Sequence, residues 1–444
     1  MSYEEAIQYL NSFHRFGIHL GLERINKLLQ ALENPHLRFP SVLIGGTNGK
    51  GSTARFLASI FQAQGYKVGL YTSPHLIDFR ERIQINNLLI SKKRVAELLN
   101  EIRSIIDQRQ RKPSDIRHQT SAIDDFTYFE VATAIAFTYF SWEGVDLAVV
   151  EVGLGGRMDA TNVLNPLVSA ITNVSLEHQD YLGPTLSQIA FEKAGIIKER
   201  GILVTAIDDP TAWGVVGDVT RGLGARVYRF GRDFHGDRKT FDLGGQTFDF
   251  YGDLGEYRDL KIRLLGRHQV TNATLAVALA EILKRQGFRL DPGALAQGLQ
   301  EAEWSGRLQV LQVKPLVFLD GAHNPEGARS LRLSLLEVLE GRRLFLVFGV
   351  LNDKDWEGML AELGSLANYI VLTRPDTLRA AEPEKLYLSA RKHCPGVVIK
   401  EKVSEAFAYV LSQASREDAI CVTGSLYTVG EVLRDWRLEI RPEA

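Results

Sequence analysis

Residues 41–53 read SVLIGGTNGKGST, a short apolar run that enters a glycine-rich turn and closes on Lys50, Gly51 and Ser52. The run is β-prone, and the residues that follow, TARFLASIFQAQG (53–65), are helix-compatible, so the local order is strand, loop, helix. In that order the loop amides and the helix N-terminus form an anion site. Glycines let the main chain approach phosphate closely, Lys50 can reach β and γ oxygens, and the Ser52 hydroxyl is available to phosphate or metal. The spacing departs from the common phosphate loop. Gly51 separates Lys50 from Ser52, and Ile44 stands where the first glycine of that loop belongs.

Working outward, SVLIGG, YKVGLYTS, VDLAVVEVG, LVSAITNV and GILVTA are short β-rich runs, with helical stretches such as 53–64 and 126–140 between them. That alternation predicts a largely parallel sheet with helices on its faces. Residues 239–264 alternate apolar and polar around Gly-Gly, predicting a hairpin or small antiparallel sheet appended to this first half. The polar segment 108–119 is expected to be an exposed loop. From about residue 308 the alternation restarts, with strands LVFLDG, RLFLVFGV, YIVLTRP, VVIK and AICVTGS and helices at 326–340, 355–364, 383–392 and 403–414. The expected fold is therefore α/β in two units, residues 1–303 carrying the phosphate loop and residues 308–444 forming a second, Rossmann-like α/β domain.

Composition narrows the functions. The 444 residues are 45% hydrophobic and 24% charged with a formal charge of -2, which gives no electrostatic footprint for nucleic acid or a membrane surface. No window approaches 18 uninterrupted apolar residues, and the N-terminus MSYEEAIQYL lacks a cationic-then-apolar leader, so a cytoplasmic enzyme is expected. Cys394 and Cys421 have no metal-type spacing and are expected in the core, unpaired.

Three polar groups fall just past predicted strands: Ser73, Glu151 and His178. In open α/β sheets those ends border the ligand crevice, and a hydroxyl, a carboxylate and an imidazole suit Mg2+ beside ATP. Taken singly, each also reads as a cap, an ion-pair member or a surface histidine. Lys193 lies in SQIAFEKAGIIK, where Phe191, Ala194, Ile196 and Ile197 predict a largely apolar helix. Burial there would favour a neutral amine able to take up CO2 as a carbamate, although from spacing alone a salt-bridged structural lysine is the favoured reading.

An ordered series of segments carries a resemblance: LGLERI, GTNGKGST, TSPHL, FTYFE, EVGLGGRMDATN, EHQDYLG, EKAGIIK, RHQVTNA, SGR, LDGAHNP and VTGSLYTVGE. With these the chain resembles, nearly end to end, the folylpolyglutamate synthase/dihydrofolate synthase family of the Mur ligase superfamily. The resemblance implies a P-loop Mur-ligase-type central domain and a C-terminal glutamate-ligase domain. It implies ATP bound by Gly49, Lys50, Gly51, Ser52, Asn272, Arg307 and Asp320, with His323 beside them as a catalytic residue together with Lys50 and Lys193. It implies two Mg2+ ions held by Ser73, Glu151, His178 and a carbamylated Lys193, reversing the bland reading of that lysine. The pterin substrate is expected at Thr127, Tyr128, Phe129 and Glu130 and at Met158, Asp159 and Ala160. One departure is visible, because Glu177 precedes His178 where the family usually has aspartate.

The implied reaction is ATP-dependent addition of L-glutamate to dihydropteroate and to tetrahydrofolate polyglutamates through an acyl phosphate, by a monomer with small-molecule partners only. The alternatives are a monofunctional folylpolyglutamate synthase, another Mur-type amino-acid ligase, a P-loop kinase or a nucleotide-gated binding module. The last two would bind ATP without glutamate-dependent phosphate release.

Overall fold

A computed structural model of the chain describes residues 1–111 and 126–440. Its first sheet has eight strands: β1 (Ser41–Gly45), β2 (Val68–Tyr71), β3 (Ile83–Ile85), β4 (Leu88–Leu89), β5 (Leu147–Glu151), β6 (Val168–Ile171), β7 (Ile202–Thr205) and β8 (Arg226–Arg229). They lie in the order β4-β3-β2-β5-β1-β6-β7-β8, parallel except where β3 pairs with β2 and β4. β1 is buried along its whole length because it is covered on both faces. Its side chains alternate between two cores: Leu43 joins one with Val150 and Ile171, while Val42 and Ile44 join the other with Val149 and Ala170. Strands leave β1 toward β5 and β2 on one side and toward β6 and β7 on the other, so the loop after β1 opens into the crevice where strand order reverses.

A second sheet holds β12 (Gln309–Val313), β13 (Leu316–Leu319), β14 (Leu344–Phe348), β15 (Tyr369–Arg374), β16 (Val397–Lys402) and β17 (Ala419–Thr423) in the order β12-β13-β17-β14-β15-β16. All neighbours are parallel except β12 with β13. Between the two lies an antiparallel sheet of β9 (Phe234–Asp242), β10 (Gly245–Gly252) and β11 (Gly255–Ile262).

Several expectations change. The helix predicted from residue 53 begins earlier, as Lys50–Ala63, so Lys50, Gly51 and Ser52 form its first turn. The predicted hairpin has three strands starting at Phe234, and it also reaches the second half: Arg238 makes paired 2.7 Å bonds to Glu337, and Phe241 packs on the second core. Residues 108–111, expected in a loop, continue the helix Lys92–Arg111, and the rest of the expected 108–119 loop lies outside the described residues. The helix carrying Lys193 ends at Ala194, short of Ile196 and Ile197, and Phe191 is exposed on it beneath the Arg157 guanidinium. The final helix Leu426–Ile440 was not foreseen. Both cysteines are buried and free, and among the described residues no helix is long and apolar enough to cross a membrane.

Candidate active site

The loop after β1 is held by groups on both sides. Thr47 and Asn48 donate their backbone N–H groups to Asn173, at 3.0 Å to its carbonyl and 2.8 Å to its Oδ1, and the Thr172 hydroxyl donates to the Asn48 carbonyl at 2.6 Å. Gly49, with φ of 85°, is the N-cap of the helix Lys50–Ala63. A glycine cap offers no side-chain acceptor, so the first-turn amides stay available to a ligand. Gly46 matters for another reason. Its carbonyl accepts from Lys50 Nζ at 3.0 Å and from Lys193 Nζ at 2.9 Å, and its φ of 133° lies in the region that favours glycine. A Cβ there would overlap the Thr172 hydroxyl. Gly46→Ala is therefore expected to cost about 2 kcal/mol or more from backbone strain and overpacking. Chemical denaturation measures it, and an unchanged midpoint would contradict this account of the loop.

Glu151 closes β5 inside the cleft. It is buried, its Oε2 accepts the Ser73 N–H at 3.1 Å, and burial pushes its carboxyl up from the ordinary value, opposed by Lys50. No cation stands within ion-pair distance of it among the described residues. His178 follows nearby, with burial and then the Lys354 ammonium lowering its imidazole to about 4, so the ring is neutral. Ser73, Glu151 and His178 all line one pocket with Lys50 and Ser52. Among the described residues no three His, Cys, Asp or Glu side chains gather to hold a metal alone. The set of one carboxylate, one hydroxyl and one neutral imidazole nonetheless fits Mg2+, which takes few protein ligands and completes its shell from phosphates and water. An uncompensated buried carboxylate favours a cation at the same place.

Lys193 is 1% exposed on its side chain and pairs with Glu177 at 2.7 Å. Burial raises the Glu177 carboxyl, but Lys193 and Lys50 together outweigh it and bring the group down to about 2. For Lys193 burial is the larger influence and lowers the ammonium from its ordinary value, with Glu177 opposing and Lys50 adding to the shift. Glu177 is paired with Lys193 and also lies in the field of Lys50, so the anion is strongly stabilised while the buried amine is not. The glutamate that departs from the family pattern is thus the partner of Lys193.

The second half supplies the facing wall. Arg307, Asp320 and His323 line the same pocket with Asn272 from the helix Arg267–Arg285. Asp320 accepts from the amides of Leu308 at 2.8 Å and Ala322 at 2.9 Å, fixing the crossover between the halves, and burial pushes its carboxyl up. His323 Nδ1 lies 2.9 Å from the Gly321 carbonyl, and burial with Lys354 holds its ring at about 4. Asn324 and Asn48 exchange side-chain amide bonds of 3.1 and 3.3 Å, tying the second half to the phosphate loop.

A second pocket adjoins the first. Thr127, Phe129, Glu130, Met158, Asp159 and Ala160 line it, and it shares Ser73, Pro74, Gly153, Leu154 and His178 with the first pocket. Tyr128 is absent from this lining and stacks on His14 at 4.1 Å instead. Thr127 also caps its helix in a capping box with Glu130, so it serves structure as well. Glu130 is paired with Arg24 at 3.1 Å. Asp159 is buried, accepts from Leu154, and has its carboxyl pushed up by burial.

Sequence reasoning missed Asn173, Asn324, Lys354 and Arg82. Asn324 had a signal, since Asn before Pro325 marks a helix N-cap. Lys354 lies in a loop after β14, and nothing in its spacing marked it.

Comparison with known proteins supplies the remaining findings. Residues 115–280 match the family description Mur ligase middle domain, and residues 306–426 match Mur ligase, glutamate ligase domain. The chain is 34% identical over 437 residues to the dihydrofolate synthase/folylpolyglutamate synthase of Bacillus subtilis, covering 97% of this chain and 98% of that protein. Among solved structures it resembles Mycobacterium tuberculosis folylpolyglutamate synthase complexed with ADP, with a TM-score of 0.89, 34% identity, and 98% and 99% of the two chains covered. It also resembles Escherichia coli FolC in complex with DHPP and ADP, with a TM-score of 0.85, 29% identity, and 98% of each chain covered.

Proposed function

The chain belongs to the folylpolyglutamate synthase/dihydrofolate synthase family of the Mur ligase superfamily, and on that premise we propose that it is an ATP-dependent ligase joining L-glutamate to dihydropteroate and to reduced folates. The observation that carries this reading is the shared wall of the two pockets. An acid lying in the pocket of Phe129 and Asp159 presents its carboxylate beside Ser73 and His178, where the nucleotide pocket begins.

The chemistry follows from that junction. A free carboxylate is a poor electrophile, so it takes the γ-phosphoryl group of ATP, releasing ADP. The glutamate amine then attacks the acyl phosphate, forms the amide, loses its proton and expels inorganic phosphate. We assign Gly49, Lys50, Gly51 and Ser52 to the ATP phosphates, and Asn272, Arg307 and Asp320 to the nucleotide from across the cleft. Ser73, Glu151, His178 and a carbamylated Lys193 would hold two Mg2+ ions, whose charge offsets that of the transferring phosphoryl group. His323, half-buried and neutral beside Lys354, can accept or pass a proton. Thr127, Tyr128, Phe129 and Glu130 with Met158, Asp159 and Ala160 are assigned to the pterin, Phe129 offering a flat apolar face and Tyr128 acting behind it.

An acyl phosphate hydrolyses when water reaches it, so the second half must close on the first, and the Asn48 and Asn324 amide pair is one contact that closure would use. We take the halves as residues 1–303 and 308–444, and the working form as a cytoplasmic monomer.

The experiment is a set of ADP-release assays. Purified protein is expected to release ADP with dihydropteroate plus L-glutamate and with tetrahydrofolate plus L-glutamate. Activity with only one acceptor leaves a monofunctional enzyme of that kind. ADP release independent of glutamate removes the ligase reading in favour of a kinase.

A further inference from the structure

We propose that Arg82 is the residue that distinguishes a glutamylated acceptor from an unglutamylated one, by pairing its guanidinium with the α-carboxylate of the acceptor's terminal glutamyl residue. The inference rests on the ligase reading above and adds a specificity-determining contact to it.

Arg82 ends the short 3-10 turn Phe79–Arg82 and lines the second pocket but not the nucleotide pocket. It is 9% exposed. Its Nε donates to His75 Nδ1 at 2.8 Å, and its guanidinium carbon lies 5.4 Å from the centre of the Tyr128 ring. His75 is kept neutral, lowered to about 3 by burial and by Arg82 itself, so Nδ1 remains an acceptor and fixes the fork. The two terminal nitrogens have no hydrogen-bond or ion-pair partner among the described residues. Neighbouring cations differ in this respect: Arg24 is committed to Glu130 at 3.1 Å, and Arg80 to Asp78 at 2.9 Å. A buried, oriented guanidinium with its fork unfilled calls for a planar anion.

The substrates decide which anion. The reacting carboxylate belongs at the Ser73 and His178 junction, and Arg82 is not on the nucleotide side of it. Dihydropteroate carries one carboxylate, which is the one that reacts. A folate's terminal glutamyl residue carries two, a γ-carboxylate that reacts and an α-carboxylate that does not. The spare group is what an arginine lining only the acceptor pocket can hold.

The test compares two acceptors with purified full-length protein: a tetrahydrofolate, and its analogue with 4-aminobutyrate in place of the glutamyl residue. The analogue keeps the reacting carboxylate and lacks the α-carboxylate. The wild-type ratio of kcat/KM values, folate over analogue, is expected to fall at least about tenfold in Arg82→Met, the scale of losing hydrogen bonds to a charged group. Arg82→Lys, which keeps the charge without the fork, is expected to give an intermediate ratio. An unchanged ratio, whether both acceptors lose equally or neither does, overturns the proposal, as does a raised KM for free L-glutamate with both acceptors in place of a changed ratio. A wild-type protein that releases no ADP with either acceptor plus glutamate removes the ligase reading itself, and so is told apart from a failure at Arg82 alone.

Discussion

Lys50→Ala lowers glutamate-dependent ADP release by at least about a hundredfold, the usual scale for removing one charge that stabilises a transition state in a water-poor site. Lys50 opens the helix Lys50–Ala63, and its Nζ rests on the carbonyls of Gly46 and Thr47 at 3.0 and 2.8 Å. Those are neutral acceptors of its own loop. Among the described residues no carboxylate lies within ion-pair distance of it, so the ammonium is not committed to an ion pair. It lines the nucleotide pocket, and its field reaches Glu151, Glu177, His178 and Lys193. A cation placed where phosphoryl charge builds lowers the barrier more than it tightens binding. The fall is therefore expected mainly in kcat. Stability is expected to change by less than about 1 kcal/mol, because alanine is at least as good a helix former as lysine. Single-turnover ADP release and a denaturation curve separate the two. Near-normal turnover would remove Lys50 from phosphoryl transfer, and a collapsed denaturation midpoint would mean that its role is structural.

The parts of this architecture that were legible in advance share one physical origin. β1 is buried on both faces, so its sequence is continuously apolar and its end is marked by glycines that only a close main-chain approach requires. The same holds for β13, β14 and β17, each buried throughout. The start of the loop's helix was less legible. Gly49, Gly51 and Ser52 are poor helix formers, and their place in or beside the first turn follows from the loop geometry that Thr172 and Asn173 impose just past β6.

Site residues divide in the same way. Ser73, Glu151 and His178, expected together because each lies at or just past the end of a strand at one edge of the sheet, do line one pocket. Arg82 and Lys354 were not expected, because their significance is a matter of what they lack or approach in space. Arg82 sits in a charged stretch, FRER, yet it is buried with its fork unpaired, while its half-buried neighbour Arg80 is paired with Asp78. Tyr128 was legible as an aromatic beside the pocket, but helix phase turns it toward His14 and leaves Phe129 facing the cavity.

Lys193→Ala is expected to lose both stability and activity, and the two losses can be separated. The ammonium is the close partner of Glu177, whose side chain is 9% exposed. Removing it leaves a buried carboxylate with only Lys50 nearby, a change that costs about 3–5 kcal/mol. The pH dependence carries a definite sign. In the wild type Glu177 is depressed to about 2, so its contribution is present above the ordinary carboxylate range and is lost as pH falls toward that value. In Lys193→Ala burial gains ground and the carboxyl moves up, so protonating Glu177 no longer costs the folded state, and the variant's stability deficit against wild type should be largest above the ordinary carboxylate range and narrow as pH falls. Replacing both partners, as Lys193→Met with Glu177→Gln, removes the uncompensated ion and should recover most of the stability. A merely salt-bridging lysine would then recover activity along with stability. A lysine whose neutral amine has added CO2, losing a proton to become a carbamate anion, would not, because the double variant carries no anion at that position. Wild-type protein in 13C-labelled bicarbonate should show a carbamate resonance that Lys193→Ala lacks, a readout independent of turnover. Restored turnover in the double variant, or no such resonance in active wild-type protein, would leave Lys193 as the structural partner of Glu177 and nothing more.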